Sequence, residues 1–107
     1  MKKRGPLTEA TYYILLTLQE PNHGYGIMQM IEQITDGEVE IGPGTLYGAL
    51  GKLEKQGAIQ TTVCPDSSDT RRKCYVLTES GQELLVEEYQ RMKRVLANSE
   101  ELIRGAI

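Results

Sequence analysis

The chain has 107 residues, 39% of them apolar and 25% charged, and a formal net charge of −3. That balance fits one ordinary globular domain and excludes a non-specific nucleic-acid coat, which requires a strongly basic surface. No apolar run approaches the roughly 18 residues of a membrane span, and Thr8, Glu9 and Thr11 interrupt any signal-peptide core after the opening basic residues, so a cytoplasmic protein is expected.

Charge is unevenly placed. Lys2, Lys3, Arg4, Lys52, Lys55, Arg71, Arg72 and Lys73 fall in three segments, whereas carboxylates concentrate in 36–40 and 79–88. In chain order, residues 1–6 read as a basic arm. Thr8 is a candidate N-cap for a first helix, TEATYYILLTLQE, with Ala10, Ile14, Leu15 and Leu18 as its apolar stripe. Tyr12 and Tyr13 share that helix, so one of them faces outward or toward a partner. Pro21 breaks it, and Asn22 is the expected cap of a second helix, HGYGIMQMIEQIT, with apolar Ile27, Met30, Ile31 and Ile34. His23 is the single histidine, with no second His or Cys at ligand spacing, so neither a metal nor a cofactor is expected. No nucleophile–base pair or phosphate-binding Gly loop is visible either, and an enzyme is not expected. The alternating residues Glu38, Val39, Glu40 and Ile41 predict a very short strand or an extended loop.

The stretch 42–57, GPGTLYGALGKLEKQG, predicts a third helix. Pro43 suits a first helical position, and Gly57 suits the left-handed residue that follows a last turn. Leu46, Ala49, Leu50 and Leu53 form one stripe. The opposite face carries Thr45, Tyr47, Gly48, Gly51, Lys52 and Lys55, which is short, uncluttered and weakly basic. Such a face suits a DNA major groove, with Thr45 and Tyr47 in its N-terminal half. The same pattern also describes an ordinary packed helix with a solvated outer side, and the two glycines serve close helix packing equally well.

The period then changes. Residues 58–64, AIQTTVC, and 72–78, RKCYVLT, are rich in β-branched residues and flank the turn-forming run 65–70. They predict a β-hairpin with Arg71, Arg72 and Lys73 at the base of its loop. Cys64 and Cys74 sit near equivalent positions on the two strands. Facing positions bring Cβ atoms within disulfide range, while cysteines of cytoplasmic proteins are usually reduced.

Three helices followed by a basic hairpin is the order of a winged helix-turn-helix domain, in which the third helix reads the major groove and the hairpin rests on phosphates. The expected fold is thus mainly α with a small β-hairpin, divided into a winged domain (1–77) and a C-terminal dimerisation helix (78–107). The segments HGYGI (23–27), GPGTLYGALGKLEKQGAI (42–59) and RRKCYVLTESGQELL (71–85) resemble the signature blocks of PadR-type transcriptional regulators, in order and spacing. The resemblance implies a winged-helix repressor that dimerises through its last helix. In some members it implies response to aromatic or drug-like compounds through the dimer interface. Here such a pocket would use Tyr12, Tyr13 or Tyr89, with Met92 as a pliable wall. The chain departs from the family pattern at Gly48, where a basic or bulkier residue is common.

The last helix starts at N-cap Thr78 and is long enough to run past Arg104. Leu85, Tyr89, Met92, Leu96, Ser99 and Ile103 recur at coiled-coil spacing, while Glu87, Glu88, Gln90, Arg91, Lys93 and Arg94 read as solvated charges. The expected DNA-contacting set is Thr45, Tyr47, Lys52, Arg71, Arg72, Lys73, Lys3 and Arg4. The expected dimer seam is Leu85, Tyr89, Met92, Leu96 and Ile103. The expected partners are double-stranded DNA with a palindromic operator and a second copy of the chain, with no membrane. The competing reading is a winged helix that binds protein, with no DNA.

Overall fold

Local chemistry sets most of the element ends. The computed structural model describes residues 5–65 and 72–107. Its elements are α1 (Glu9–Thr17), α2 (Gly24–Ile34), α3 (Pro43–Lys55), β1 (Ile59–Val63), β2 (Lys73–Leu77) and α4 (Glu79–Ile103), closed by a 3-10 turn (Arg104–Ala106). Thr8 caps α1 by accepting from the Thr11 amide at 3.1 Å. Thr78 caps α4 by accepting from the Gly81 amide, and its hydroxyl donates to the Gly57 carbonyl at 2.6 Å. Pro43 opens α3 after Gly42. Gly57, at φ 79°, turns the chain from α3 into β1.

Two boundaries differ from expectation. The cap of α2 is His23, not Asn22. The Asn22 backbone is committed to a two-bond bridge with Tyr75, and its side chain accepts from the His23 amide, so the helix starts one residue later. Residues 36–41 form no strand. Asp36 and Gly37 adopt positive φ, and the Thr35 hydroxyl, which donates to the Ile31 carbonyl and accepts from the Val39 amide, folds the exit of α2 into a loop.

The core lies where α1, α2, α3, the hairpin and the start of α4 converge, around Ile14, Leu15, Leu18, Ile27, Ile31, Leu46, Leu50, Ile59 and Tyr75. Met30 and Ile34 are exposed, contrary to the predicted stripe. The buried row of α2 is the narrower Gly24, Ile27 and Ile31, and Met30 stands on its flank with its sulfur 4.0 Å from the Asn22 amide nitrogen.

The hairpin is antiparallel, in register from Ile59 opposite Leu77 to Val63 opposite Lys73. The second edge of β2 is also used. Tyr75 exchanges both backbone bonds with Asn22, and the Leu77 amide donates to the Leu18 carbonyl. Side-chain alternation puts Ile59, Tyr75 and Leu77 toward the core and Thr62, Cys74 and Val76 on the other face. Cys64 and Cys74 are joined by a disulfide, with Cα atoms 5.2 Å apart.

Helix α4 packs on α1 and β2 through Gly81, Leu84, Leu85 and Glu88, a row at spacings of three and four. Gly81 lies against the Ala58 carbonyl, with no room for a Cβ. Leu85, placed by periodicity in a dimer seam, is instead buried in this core at 5% exposure. Glu88 is likewise not a solvated charge. It is 6% exposed, accepts two hydrogen bonds from the Arg91 guanidinium at 2.9 and 2.7 Å, and accepts the Leu7 amide at 3.3 Å. Beyond Met92 nearly every residue of α4 is exposed, and the α-helix ends at Ile103 rather than past Arg104.

Candidate nucleic-acid interface

Helix α3 separates its two sides cleanly. Leu46, Leu50 and Leu53 are buried, and Thr45, Tyr47, Gly48, Gly51, Lys52 and Lys55 are exposed. At 100° per residue, Gly44, Gly48, Gly51, Lys52 and Lys55 share the outward face, with Thr45 and Tyr47 on opposite flanks. A Cβ built at Gly48 or Gly51 meets nothing within 4 Å. Among the described residues these glycines therefore serve no packing, and they leave the backbone of the outer face bare.

Tyr47 lies lower on the helix than an outward-pointing reader would. Its hydroxyl reaches the first turn of α2 and occupies the space a side chain at Gly24 would take, yet the residue stays 52% exposed. Gly24, absent from the predicted site residues, is thus what makes room for the Tyr47 phenol against α2. The spacing HGYG contained the signal, because Gly24 continues the buried row of Ile27 and Ile31.

The hairpin begins one turn after α3 ends. Arg72 and Lys73 are exposed at the start of β2, and the Lys73 ammonium lies 5.5 Å from the centre of the Tyr75 ring on the same strand face. That cation–π contact holds the lysine against a buried aromatic. Arg71, Lys3 and Arg4 lie outside the described residues. A depression of about 580 Å³ on α2, lined by Tyr25, Gln29, Glu32, Gln33, Asp36 and Gly37, carries two carboxylates and no cation, which disfavours phosphate.

On α4, Tyr89, Leu96 and Ile103 are exposed, Leu96 at 70%, and Met92 is half-buried. They continue the row of Leu85 past the point where α1 covers it. Tyr12 sits at this junction; burial first, then Tyr89 and Glu88, holds its phenol above its ordinary value of 10.0. Tyr13 packs edge-on to Tyr12, ring centres 6.3 Å apart. Among the described residues no group of three His, Cys, Asp or Glu side chains is placed to hold a metal ion, and no helix is long and apolar enough to cross a membrane.

Three helices, the third leading directly into a two-stranded wing, define a winged helix-turn-helix domain with a long C-terminal helix. Residues 14–87 match the transcriptional regulator PadR-like family, and the chain belongs to that family. A protein of Streptococcus mutans of known structure is 30% identical, with 98% of this chain and 97% of that one aligned at a TM-score of 0.74. The PadR of Bacillus subtilis in complex with operator DNA aligns over 78% of this chain and 46% of its own, at 25% identity and a TM-score of 0.65. An uncharacterized protein from a transposon of Streptomyces fradiae is 36% identical over 88 residues, 81% of this chain but 24% of that protein. The chain thus spans about a quarter of the length of that curated relative.

Proposed function

We propose that this protein regulates transcription in the cytoplasm by binding double-stranded DNA as a homodimer, with α3 in the major groove and the wing on the phosphate backbone. One observation carries the reading: among the described residues nothing covers the outer face of α3, with its bare glycines and Lys52 and Lys55, although Leu46, Leu50 and Leu53 on its inner face are buried. Thr45 and Tyr47 flank that face near its N-terminus, where side chains reach base edges or flanking phosphates. Lys52, Arg72 and Lys73 contact phosphates, with Arg71 and the arm residues Lys3 and Arg4 adding to them. The PadR of Bacillus subtilis, which shares the fold and is in complex with operator DNA, supports DNA as the partner.

The dimer forms through the uncovered half of α4. Tyr89, Met92, Leu96 and Ile103 need a partner, and a second copy offers the same row in two-fold register. Residues 1–77 act as the DNA-binding unit and 78–107 as the dimer helix, whose first turns also close the domain core. The operator is an inverted repeat, and binding there represses. An aromatic or drug-like effector binds at the dimer interface, on Tyr12, Tyr13 or Tyr89 with Met92 as a pliable wall, and releases the DNA.

The test is binding to duplex DNA taken from upstream of the protein's own gene, measured between 50 and 200 mM salt. A DNA-binding face predicts a steep linear fall of log K with log salt. Weak binding with no salt dependence sinks the proposal and favours a protein partner for α3 and the wing.

A further inference from the structure

We propose that Cys64 and Cys74 are a modification site, a thiol pair that hydroperoxides oxidise reversibly and whose bond tightens the wing's hold on DNA. The second half rests on the DNA-binding reading above.

The strand ladder ends at the pair Val63 and Lys73. The disulfide crosses that end diagonally: Cys74 lies inside the ladder opposite Thr62 and Cys64 is one residue past β1, with a sequence separation of 10 and the Cys64 sulfur 3.7 Å from the Arg72 carbonyl. The bond therefore ties the residue that leaves β1 to the strand that Arg72 leads into. Arg72 itself lies one residue outside the ladder.

Cys74 faces away from Ile59, Tyr75 and Leu77, and both cysteines, though nearly buried, lie outside the main apolar cluster. Opening the bond leaves the five paired positions of the ladder, the Asn22 bridge and the Leu77–Leu18 bond in place. Both redox states are folded.

A protein that works on DNA works in a reducing interior, where protein disulfides are usually transient and redox-sensing. Both thiols are nearly buried in the bonded form, Cys64 at 5% and Cys74 at 2% exposure, which favours small oxidants over bulky ones.

The chemistry closes with a hydroperoxide. One cysteine sulfur attacks the peroxide oxygen, the O–O bond breaks, and water or an alcohol leaves, giving a sulfenic acid. The second thiol displaces its hydroxyl, the S–O bond breaks, S–S forms, and a second water leaves. Two sulfurs are oxidised as both peroxide oxygens are reduced. A dithiol reverses the step through a mixed disulfide. With the bond closed, Cys64 and Arg72 at the end of the ladder have less freedom to lose when Arg72 settles on a phosphate, so the oxidised dimer binds more tightly, by roughly tenfold.

The experiment treats the full chain with hydrogen peroxide and then with dithiothreitol, counts free thiols by alkylation and mass, and measures binding to the upstream duplex in each state. We expect no free thiol after peroxide, two after dithiothreitol under native conditions, and roughly tenfold weaker DNA binding in the reduced state. Cys64→Ser/Cys74→Ser should bind like the reduced protein with or without peroxide, which also separates the effect from methionine oxidation. Two freely titrating thiols after peroxide, or a bond that native dithiothreitol cannot open, overturns the proposal. Equal affinity of the two states, with Arg72→Ala still weakening binding, overturns the switch and leaves the DNA reading standing. No DNA binding in either state overturns the DNA reading, and the tightening with it.

Discussion

The Tyr47 hydroxyl stands where a Cβ on Gly24 would be. Gly24→Ala therefore displaces the phenol, and because the clash is with the free end of a half-exposed side chain, the fold accommodates it. Alanine is also the better helix former by about 1 kcal/mol. We expect Gly24→Ala to keep its melting temperature within a few degrees and to bind the upstream duplex at least several-fold more weakly. Tyr47→Ala should show the same separation. A Gly24→Ala protein that melts early and binds normally once folded would make Tyr47 a packing residue only.

The wing gives a different signature. Phosphate contacts position a protein without reading sequence, so Arg72→Ala and Lys73→Ala should weaken specific and random duplexes alike. Each lost contact should flatten the log K against log salt plot by about 0.9. Lys73 is braced on Tyr75, so Tyr75→Leu, which keeps the core filled, should reproduce part of the Lys73→Ala loss. An unchanged slope in the Arg72→Ala, Lys73→Ala double variant takes the wing off the DNA.

Glu88 predicts an acid sensitivity. The hydrogen bonds from Arg91, then the Leu7 amide, hold its carboxyl below the ordinary value of 4.5, against the opposing effect of burial. A carboxyl lowered in the folded state stabilises fully above its unfolded value and loses that contribution as pH falls through the folded one. Glu88→Gln should thus cost about 1 kcal/mol at pH 7, and the gap to the parent should shrink as pH falls below about 4.5. Urea titrations at pH 7 and pH 3 measure both gaps, and equal gaps would show that the carboxylate charge contributes nothing.

What was legible in the residues follows the range of the forces involved. Pro43, Gly57, Thr8 and Thr78 act within a turn of chain, and each sits at the boundary it predicts. The stripe of α3 is local in the same sense. Asn22 is different, because the bridge that removes it from capping comes from Tyr75, far along the chain. Leu85 shows the limit of periodicity. Spacing assigns it to an apolar row, but only the packed domain decides that α1 and β2, rather than a second copy, cover that part of the row. Glu88 was hidden by its own chemistry, since a carboxylate reads as solvent-facing, although Gly81, Leu84, Leu85 and Glu88 share helical spacing.

Gly81 offers a test of that packing apart from any function. A Cβ there meets the Ala58 carbonyl, a backbone atom fixed by the Thr78 amide, with the Leu77 side chain 3.2 Å away. Nothing flexible can yield, so helix propensity loses to overpacking. We expect Gly81→Ala to destabilise the domain by about 1–3 kcal/mol, read as an earlier urea midpoint. A variant as stable as the parent would mean that α4 docks less closely than described.

The dimer is the prediction on which function depends most. A single winged module with one short reading helix binds weakly, whereas two modules joined by a seam make the second contact at high effective concentration. The 25 residues of α4 make a rod of about 37 Å, but its domain-facing row ends at Glu88, so the outer half must find its own cover. Met92 and Leu96 lie at the centre of the uncovered row, and neither belongs to the packed core. Changing both to Glu places four like charges in the seam of a two-fold dimer without touching Leu84 or Leu85. Sedimentation should then give a folded monomer of about 12.0 kDa. Its melting transition should persist, and its affinity for the upstream duplex should fall by orders of magnitude. The half-site centres should be about 10 bp apart or a multiple of that, so a duplex carrying one half-site should bind parent and variant alike. An intact dimer for Met92→Glu/Leu96→Glu places the interface elsewhere and removes α4 from the mechanism.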